Sequence, residues 1–368
     1  MARRTTIVFA GGGTGGHLFP ALAVAGAIAG RRPGASIEFV GARRGLEARL
    51  VPRAGYRLHT LPLSGIKGAR AGARLVAAAG AGLGVARCVA HFLARRPAVV
   101  IGVGGYASGP AVLAAWLLRI PIMLMEQNHF PGATNRFLAP RADVVCVPSE
   151  AARARLGGRG VVTGNPIRPE FSAIGPARGE AEVSLLVFGG SRGARSINRA
   201  MAEALPHLAS GGRGLTIVHQ TGEAARDEVA AAYASFPSLP STVLPFLDDM
   251  PRRLADADLV VSRAGATTLS ELAAAGRPAI LVPYPHAADD HQRLNAEAVR
   301  DAGGAVVLPD EGLTGEALAT AIEALASDPA RRLRMAAAVK TLARPDAAER
   351  IAELALSLAE KHGGARVP

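Results

Sequence analysis

Residues 6–17 read TIVFAGGGTGGH, an apolar segment that runs into a glycine-rich turn. The first part, Thr6–Ala10, is typical of a buried strand, and an apolar helical stretch follows His17. This order predicts the opening unit of a Rossmann-like sheet, because glycine lets the chain turn tightly and lets a ligand approach the backbone. The start of the helix then offers N–H groups and a positive dipole end to an anion.

The strand–helix unit recurs along the chain in two series. The strand candidates of the first series are 6–10, 36–41, 99–103, 121–126, 143–147 and 161–164. Those of the second series are 184–188, 215–220, 242–244, 259–262, 279–283 and 305–308. Strands that alternate with helices predict parallel sheets covered on both faces. We therefore predict the α/β class, with two Rossmann-like domains that face a cleft.

The domain boundary is expected in the Pro- and Gly-rich stretch at 164–179 that separates the two series. We predict an N-terminal domain over 1–166 and a C-terminal domain over 167–345. A last helical stretch, about 346–368, could pack on either domain, including back on the first. The length of 368 residues and the hydrophobic content of 49% are sufficient for two buried cores.

Other features of the chain exclude several classes of protein. Cys88 and Cys146 lie far apart and in no metal-ligand spacing, so we expect two reduced thiols rather than a disulfide scaffold. The N-terminus has no apolar run typical of a signal peptide. Residues 98–118 carry no charge, but their glycines and Pro110 indicate a strand, a loop and a helix rather than a membrane span.

Charge is distributed unevenly between the two halves. Residues 1–170 contain 22 Lys and Arg against 6 Asp and Glu, a net charge of +16, whereas residues 171–368 carry −4. A basic N-terminal half predicts an anionic partner: nucleic acid, a phosphorylated substrate or an acidic lipid. Nucleic acid is disfavoured, since aromatic residues are only 4% and no nucleic-acid motif is present.

Two further glycine turns follow predicted strands, at Gly102–Tyr106 and Gly189–Ala194. Three such turns in two domains indicate two anionic ligands rather than one dinucleotide. The dinucleotide spacing is also missing, and Glu38 lies inside the second strand instead of at its end. An NAD-dependent oxidoreductase is therefore disfavoured.

Polar segments lie at other strand ends, and one of them holds a candidate sugar-binding carboxylate. Glu271 stands one turn inside a predicted helix, where it could accept two sugar hydroxyls or only complement the helix dipole. We expect no cofactor and no metal. Asp256–Asp258 reads as a D-x-D motif but precedes a strand, and His286 and His291 lack firm ligand partners.

Taken together, nine segments resemble the MurG family of glycosyltransferases. They are GGTGGH at 12–17, SGIKG at 64–68, GVGGYASGP at 102–110, EQN at 126–128, GNPIR at 164–168, GGSRGA at 189–194, FLDDM at 246–250, SRAGATTLSE at 262–271 and HQRLNA at 291–296. The resemblance implies the GT-B glycosyltransferase fold, with the donor held mainly by the second domain. It also implies inverting transfer of N-acetylglucosamine from UDP-GlcNAc to undecaprenyl-pyrophosphoryl-MurNAc-pentapeptide (lipid I), giving lipid II for peptidoglycan. Other GT-B UDP-sugar transferases and UDP-sugar epimerases are the nearest alternatives.

The resemblance also implies roles for single residues. Ser191 would serve the donor diphosphate, Leu247 would offer backbone atoms to uracil, and Glu271 would hold ribose hydroxyls. The remaining donor contacts would be Thr14, Gly15, Gly16, Asn128, Arg168, Ala266, Thr267, Thr268, Leu269, Ser270 and Gln292, and the acceptor side would include Gly104, Gly105 and Tyr106. We favour His17 as the base or orienting group for the acceptor hydroxyl, with Glu126 as its rival.

Two positions depart from the family pattern. Arg192 stands where the family usually has Gln, and His129 stands where it usually has a small residue.

A lipid-linked diphosphate acceptor implies that the N-terminal domain sits peripherally on an anionic membrane, at the cytoplasmic face. Residues 65–96 and Trp116 are the candidate surface, and other cell-wall synthesis proteins are candidate partners. The apolar candidates in that stretch are Ile66, Leu75, Leu83, Val85, Phe92 and Leu93, and the basic ones are Lys67, Arg70, Arg74, Arg87, Arg95 and Arg96.

Overall fold

The computed structural model describes residues 5–43, 45–62, 71–105, 107–179, 182–190, 193–211 and 214–363, without the side chains of 71–79, 288 and 363. The chain divides into two compact units. One consists of Met1–Arg168 with Arg344–Pro368, and the other of Pro169–Ala343. Each unit is built on one parallel sheet, as the alternation of strands and helices predicts.

In the first unit, strands alternate with helices along the described chain. Its strands are β1 (Thr6–Ala10), β2 (Ser36–Ala42), β3 (Arg57–Leu61), β4 (Val99–Gly102), β5 (Ile122–Met125), β6 (Val144–Val147) and β7 (Val161–Val162). The helices that connect them are α1 (Gly15–Arg31), α2 (Glu47–Arg53), α3 (Ala71–Arg95), α4 (Ser108–Leu117), α5 (Ala133–Leu138) and α6 (Glu150–Arg155).

The sheet of the first unit has the order β3-β2-β1-β4-β5-β6-β7. This order reverses between β1 and β4, which pair with each other in parallel. In doubly wound sheets, ligands bind beyond the carboxyl ends of the strands at such a reversal. The loops that follow β1 and β4, two of the predicted glycine turns, both leave the sheet at this point.

Both faces of this sheet are buried, which explains the continuous apolar runs of its central strands. Successive residues of β1 point to opposite faces, so Ile7 and Phe9 join one core and Val8 and Ala10 the other. The Phe9 ring stacks on Phe39 of the neighbouring strand, with centroids 5.1 Å apart.

The second unit repeats the plan. Its strands are β8 (Val183–Phe188), β9 (Leu215–Gln220), β10 (Ser241–Leu244), β11 (Leu259–Ser262), β12 (Ala279–Leu281) and β13 (Ala305–Val307). Its helices are α7 (Pro169–Ser172), α8 (Arg195–Ser210), α9 (Arg226–Ala234), α10 (Met250–Asp256), α11 (Ala266–Ala275), α12 (His291–Asp301), α13 (Gly315–Ala326) and α14 (Pro329–Lys340). The strand order β10-β9-β8-β11-β12-β13 reverses between β8 and β11.

The last helix, α15 (Ala347–Gly363), packs against α1 of the first unit. Ile351 and Ala355 of this helix are buried in the same core as Ile7 and Phe9. Arg31 pairs with Glu353 at the exposed edge of the contact, and such surface pairs contribute little. Apolar burial therefore accounts for most of the attachment.

The uncharged stretch 98–118 contains β4, a turn and the whole of α4, as its glycines and proline predict. Within the described residues, no helix has both the length and the hydrophobicity that crossing a bilayer requires. Cys88 and Cys146 are buried thiols, and burial raises the pKa of each to about 12. Strand β3 is absent from the sequence prediction, because its polar and half-exposed residues at the sheet edge lack an apolar run.

Candidate active site

The loop between β1 and α1 is a run of glycines in conformations that other residues rarely adopt. Gly11, Gly12 and Gly13 have φ angles of +141°, +139° and +89°. A Cβ at Gly11 would lie 2.5 Å from the carbonyl oxygen of Gly104, and one at Gly12 would lie 2.7 Å from the carboxyl carbon of Glu47. Glycine is thus required at these positions. The loop presents bare backbone at the start of α1, where the helix dipole attracts anions.

Glu47, the first residue of α2, holds this loop from below. Its side chain is 1% exposed. Oε2 accepts a hydrogen bond from the Gly13 N–H at 2.8 Å, and Oε1 accepts one from the Ala42 N–H at 3.0 Å. A Cβ at Gly45 would collide with the same carboxylate. The sequence analysis did not assign a role to Glu47. It could have been noticed as one of only six acidic residues among the first 170 residues.

His17, in the first turn of α1, lies against the second glycine loop. Its Nδ1 and the Thr14 hydroxyl are 3.0 Å apart and share a hydrogen bond. A Cβ at Gly104 would lie 2.9 Å from Cδ2 and 3.1 Å from Nε2 of the imidazole. A Cβ at Gly105 would lie 2.8 Å from the Gly12 carbonyl oxygen. The loops after β1 and β4 therefore pack closely against each other and against the imidazole. Tyr106, predicted on the acceptor side, lies outside the described residues.

Glu126 follows β5 and is 4% exposed. Its Oε1 accepts hydrogen bonds from the backbone N–H groups of Gln127 and Asn128, both at 2.9 Å, and from the Asn128 carboxamide at 3.2 Å. Its Oε2 accepts from the Gly132 N–H and the Asn135 carboxamide, both at 2.9 Å. A carboxylate has about four lone-pair positions. These contacts therefore occupy it fully, and it organises the loop that carries Asn128.

Gln127 lies beside Gly104, the glycine that also faces His17. Its side chain is 3% exposed and donates to the Met125 carbonyl at 3.2 Å, and its Oε1 lies 3.6 Å from where a Gly104 Cβ would be. Sequence reasoning quoted Gln127 in a motif without giving it a role. Arg168 contacts α1, the helix that carries His17: its guanidinium lies 5.2 Å from the ring centroid of Phe19 on that helix.

His129, one of the two residues that depart from the family pattern, connects the loop after β5 to α6. Its Nδ1 shares a 2.8 Å hydrogen bond with the hydroxyl of Ser149, the residue that caps α6. Burial, followed by the nearby charge of Arg155, lowers the pKa of His129. The neutral imidazole therefore ties the loop to α6. The other departure, Arg192, lies outside the described residues.

The glycine turn that opens the second unit leads from β8 into α8. Ser191, predicted to serve the diphosphate, lies outside the described residues, and so does its neighbour at 192. Gly190 and Gly193 have φ angles of +90° and +72°. A Cβ at Gly193 would collide with the Thr221 carbonyl oxygen. As in the first unit, tight backbone packing at a reversal in strand order places the start of a helix beyond the sheet.

Arg263 joins the loops at the carboxyl ends of this second sheet. Its guanidinium donates to the carbonyls of Val282 and Pro283 at 3.1 and 3.2 Å, and to the Ser196 hydroxyl at 2.8 Å. It also forms an ion pair with Asp310. Sequence reasoning quoted Arg263 in the SRAGATTLSE segment but gave it no role. The half-buried Arg263 side chain therefore connects the ends of β11 and β12 to α8.

Gln292, the second residue of α12, connects two of these loops. Its Oε1 accepts from the backbone N–H of Ala264 at 3.2 Å and of Tyr284 at 3.0 Å. The neighbouring helix α11 contains the predicted donor segment 266–271. Thr267, Leu269 and Glu271 are buried, and the three residues between or before them, Ala266, Thr268 and Ser270, are half-buried. Leu247 is also buried, in the loop between β10 and α10.

The D-x-D segment lies away from these loops. Asp256 ends α10, and Asp258 Oδ2 accepts from the Ser184 N–H at 2.9 Å, near the amino ends of β8 and β11. This is the opposite edge of the sheet from the glycine turn. The His286 ring packs edge-on against Tyr284, with centroids 5.6 Å apart.

The first unit exposes an aromatic and basic patch, which we call the Trp116 patch. Trp116 and Leu117 of α4 are 47% and 55% exposed, and Phe137 of α5 is 65% exposed. The Arg141 guanidinium lies 5.5 Å from the Trp116 ring centroid and 4.8 Å from that of Phe137. These cation–π contacts hold two exposed rings beside one positive charge.

The candidate membrane stretch 65–96 is only partly a surface. Residues 65–70 lie outside the described residues, and the side chains of Arg74 and Leu75 are not described. Leu83 and Leu93 are exposed, as are Arg87, Arg95 and Arg96. Phe92 and Val85 were wrongly assigned to this surface, because both side chains turn inward to the sheet core through the periodicity of α3.

Comparison with known proteins gives one consistent result. Residues 7–147 match the glycosyltransferase family 28 N-terminal domain, and residues 184–351 match its C-terminal domain. Relatives from Anaeromyxobacter sp. (strain Fw109-5) and Syntrophotalea carbinolica are 45% and 47% identical, covering 97% and 94% of this chain and 94% and 96% of their own. Each is named UDP-N-acetylglucosamine–N-acetylmuramyl-(pentapeptide) pyrophosphoryl-undecaprenol N-acetylglucosamine transferase.

The crystal structure of Acinetobacter baumannii MurG superposes with a TM-score of 0.77 at 31% identity, over 96% of this chain and 99% of that one. The fold is therefore GT-B, as the resemblance implied. Identity of this extent over nearly the whole length also separates the chain from other enzymes that share the fold. The chain belongs to glycosyltransferase family 28 and, within it, to the MurG family.

Proposed function

We propose that this protein transfers N-acetylglucosamine from UDP-GlcNAc to undecaprenyl-pyrophosphoryl-MurNAc-pentapeptide, giving lipid II. The observation that carries the proposal is the identity of 45–47% over more than nine-tenths of the chain to transferases named for this reaction. This function is favoured over the epimerase alternative, because the relatives that match at this identity are named as transferases. The N-terminal unit is the acceptor side, and the C-terminal unit holds the donor.

His17 is the proposed catalytic base. The acceptor hydroxyl oxygen attacks the anomeric carbon as the bond from that carbon to the UDP oxygen breaks, and the hydroxyl proton passes to the imidazole. One base suffices for such an inverting displacement, and an imidazole has a suitable pKa for it near neutral pH. If Nδ1–H donates to the Thr14 hydroxyl, 3.0 Å away, the basic lone pair is on Nε2. Thr14 is then the residue that fixes the tautomer.

Glu126 is the weaker candidate for the base. Its two oxygens already accept hydrogen bonds from three backbone N–H groups and two carboxamides. Taking a proton would cost several of these bonds, and each bond to a charged group contributes about 1.5–3 kcal/mol. We assign Glu126 to positioning Asn128, which we place among the donor contacts.

The donor contacts are proposed on the loops at the carboxyl ends of the second sheet. Ser191 and the start of α8 would bind the diphosphate, and the first turn of α11 (Ala266, Thr267, Thr268, Leu269) together with Ser270 would bind near it. That turn contains no acidic residue, so its dipole favours an anion. Glu271 would accept ribose hydroxyls, and the backbone of Leu247 would contact uracil.

The remaining assignments follow the family motifs. Gln292 holds the backbone of Ala264 and Tyr284 in the donor loop. Further donor contacts come from Thr14, Gly15, Gly16, Asn128 and Arg168. Gly104, Gly105 and Tyr106 lie on the acceptor side. Arg168 would neutralise charge that develops on the leaving UDP.

The acceptor is anchored in a bilayer, so the acceptor-side unit is proposed to bind the cytoplasmic face of the membrane peripherally. The excess of positive charge over residues 1–170 and the exposed rings of the Trp116 patch support this. Anionic lipid attracts basic residues, and exposed aromatic rings prefer the interface. Other cell-wall synthesis proteins are proposed partners at the same membrane.

A sugar-transfer assay tests the main proposal. The purified protein is mixed with lipid I in detergent micelles and with radiolabelled UDP-GlcNAc, UDP-GalNAc or UDP-glucose. We expect labelled lipid II from UDP-GlcNAc and little product from the other two donors. Release of free sugar or epimerised UDP-sugar without labelled lipid would overturn the assignment.

A further inference from the structure

Three side chains that are far apart in the sequence meet beneath α3. Glu38 of β2 is 1% exposed, and the Nε2 atoms of His59 on β3 and His91 on α3 both lie close to one oxygen of its carboxylate. The distances from Glu38 Oε2 are 3.1 Å to His59 and 3.0 Å to His91. The three candidate ligand atoms all lie within 4.8 Å of one another. None of these residues has a role in the proposed sugar transfer.

The register of the sheet creates this meeting point. Glu38 and Val40 are two residues apart on β2 and therefore face the same side, and Val40 pairs with His59 of β3. Val40 belongs to the core cluster on the α3 side, which places His91 opposite the pair. The two imidazole rings have centroids 4.0 Å apart.

Hydrogen bonding alone does not satisfy this cluster. His91 forms a hydrogen bond with Glu38, but His59 Nε2 is buried and, within the described part of the chain, has no hydrogen-bond partner. It lies near Oε2 without the direction that a hydrogen bond needs. A buried polar atom of this kind is costly and calls for a ligand.

We propose that Glu38, His59 and His91 form a binding site for Zn²⁺ or a similar divalent transition metal, separate from the catalytic loops. Two imidazoles and a carboxylate are a preferred donor set for zinc, and three protein ligands leave a fourth position for water. Bonds of about 2.0–2.2 Å from one ion require only small side-chain shifts from the observed separations. The metal would tie α3 to β2 and β3 at the edge of the sheet.

Arg95 makes the proposal more specific. Its Nε lies 3.7 Å from Glu38 Oε1, so its charge would oppose a metal ion at the same carboxylate. Replacement by a neutral residue should therefore tighten metal binding, although it removes an ion pair from the metal-free protein. If the cluster is held only by hydrogen bonds and ion pairs, Arg95→Gln should lower stability and should not increase the affinity for metal.

The test uses the full chain without an affinity tag, after treatment with a chelator. ZnCl₂ is titrated in by calorimetry, and melting is followed with and without ZnCl₂, with MgCl₂ as the ionic control. We expect one Zn²⁺ per chain and a melting temperature that rises with ZnCl₂ concentration, by several degrees at about 100 times the Kd. His59→Gln and His91→Gln should abolish both effects. His207→Gln, at an exposed histidine of α8, is the matched control.

Two further measurements keep the result decisive if a histidine variant fails to fold. CoCl₂ added to the wild type should give the visible absorption of tetrahedral Co²⁺. ZnCl₂ should remove this absorption by displacing the Co²⁺. Arg95→Gln should lower the Kd for Zn²⁺ several-fold. Binding of Zn²⁺ that is equal in the wild type and the folded His59 and His91 variants would overturn the proposal, as would no binding to the wild type. Neither result depends on sugar transfer.

Discussion

At the scale of single residues, the two candidates for the catalytic base, His17 and Glu126, differ in their hydrogen bonding. His17 shares a hydrogen bond with the Thr14 hydroxyl, and one edge of its ring faces Gly104. We expect His17→Ala to lower kcat by about 10²–10⁴, the usual cost of losing a general base. The Kd for UDP, measured by calorimetry, should change little, because we assign uridine diphosphate to the second unit. A variant with wild-type kcat would move the role of base to another group.

Glu126→Gln should instead weaken the fold of its loop. An amide group would place N–H donors opposite donors from Gly132 and Asn135, or from Gln127 and Asn128. We expect the free energy of unfolding to fall by about 1–3 kcal/mol, the cost of unsatisfied buried groups. Urea unfolding measures this. If stability is unchanged while kcat is lost, Glu126 is the base and our assignment is wrong.

Glu47 is a positioning residue whose role can be separated from bulk stability. Glu47→Ala leaves the N–H groups of Gly13 and Ala42 without their acceptor, and it empties space beside Gly12. We expect kcat per folded molecule to fall while the Kd for UDP stays near wild type, because the loop that carries His17 loosens. Glu47→Gln retains one acceptor oxygen and should recover part of kcat. Loss of stability with an unchanged kcat would reduce Glu47 to a structural role.

Sequence reasoning identified the glycine loops but not the residues that support them. The glycines at 11–13 and 104–105 could be recognised from the sequence, because their positive φ angles favour glycine strongly over other residues. Glu47 acts on Gly13 across 34 positions, so no local pattern connects the two. The same holds for Glu38, His59 and His91, whose proximity depends on strand register.

At the scale of elements, apolar runs predicted the strands that are buried on both faces. β1, β4, β8 and β11 occupy the centres of their sheets, and their hydrophobic residues are continuous. β3 escaped prediction because an edge strand needs only one apolar face, and its sequence RLHTL alternates too weakly to be distinguished from a loop. The packing of α15 on α1 also could not be read, since an amphipathic helix fits either core.

His219 on β9 joins three elements and gives the second unit a pH-dependent stability. It is fully buried between Tyr233 of α9 and Asn198 of α8, and burial lowers its pKa to about 3. The folded state keeps it neutral, whereas the unfolded state takes up a proton below about pH 6.5. Its contribution is therefore complete above pH 6.5 and is lost as the pH falls from there towards 3.

The expected size of this effect is about 1.4 kcal/mol per pH unit within that window. Urea unfolding at a series of pH values between 7 and 4.5 measures the slope for the wild type and for His219→Gln. The variant should be less stable at pH 7 and should lose stability less steeply on acidification. Parallel slopes for the two proteins would show that His219 does not titrate in this way. The other histidines with lowered pKa values, such as His129, remain in both proteins and cancel in the comparison.

At the scale of the whole molecule, the charge asymmetry coincides with the division into units. The positive excess of residues 1–170 falls on the unit that carries His17 and the Trp116 patch, while residues 171–368 have a small negative charge. Attraction to an anionic surface would therefore act mainly on one unit. The basic and aromatic groups both lie in the first unit. Substituting one kind of group at a time there separates the electrostatic from the apolar contribution to membrane binding.

The Trp116 patch provides its own reporter, since Trp116 is the only tryptophan in the chain. On vesicles that contain phosphatidylglycerol, its fluorescence should shift to shorter wavelength as the ring leaves water, and the shift should reverse at high salt. Phe137→Ala should weaken binding by removing apolar area, and Arg141→Gln should lower the partition coefficient about fivefold, the equivalent of about 1 kcal/mol per basic residue. Leu333→Ala, an exposed apolar residue of α14, is the matched control and should bind as the wild type does. An unchanged spectrum with anionic vesicles, or equal shifts with neutral and anionic vesicles, would place the membrane contact elsewhere on the protein.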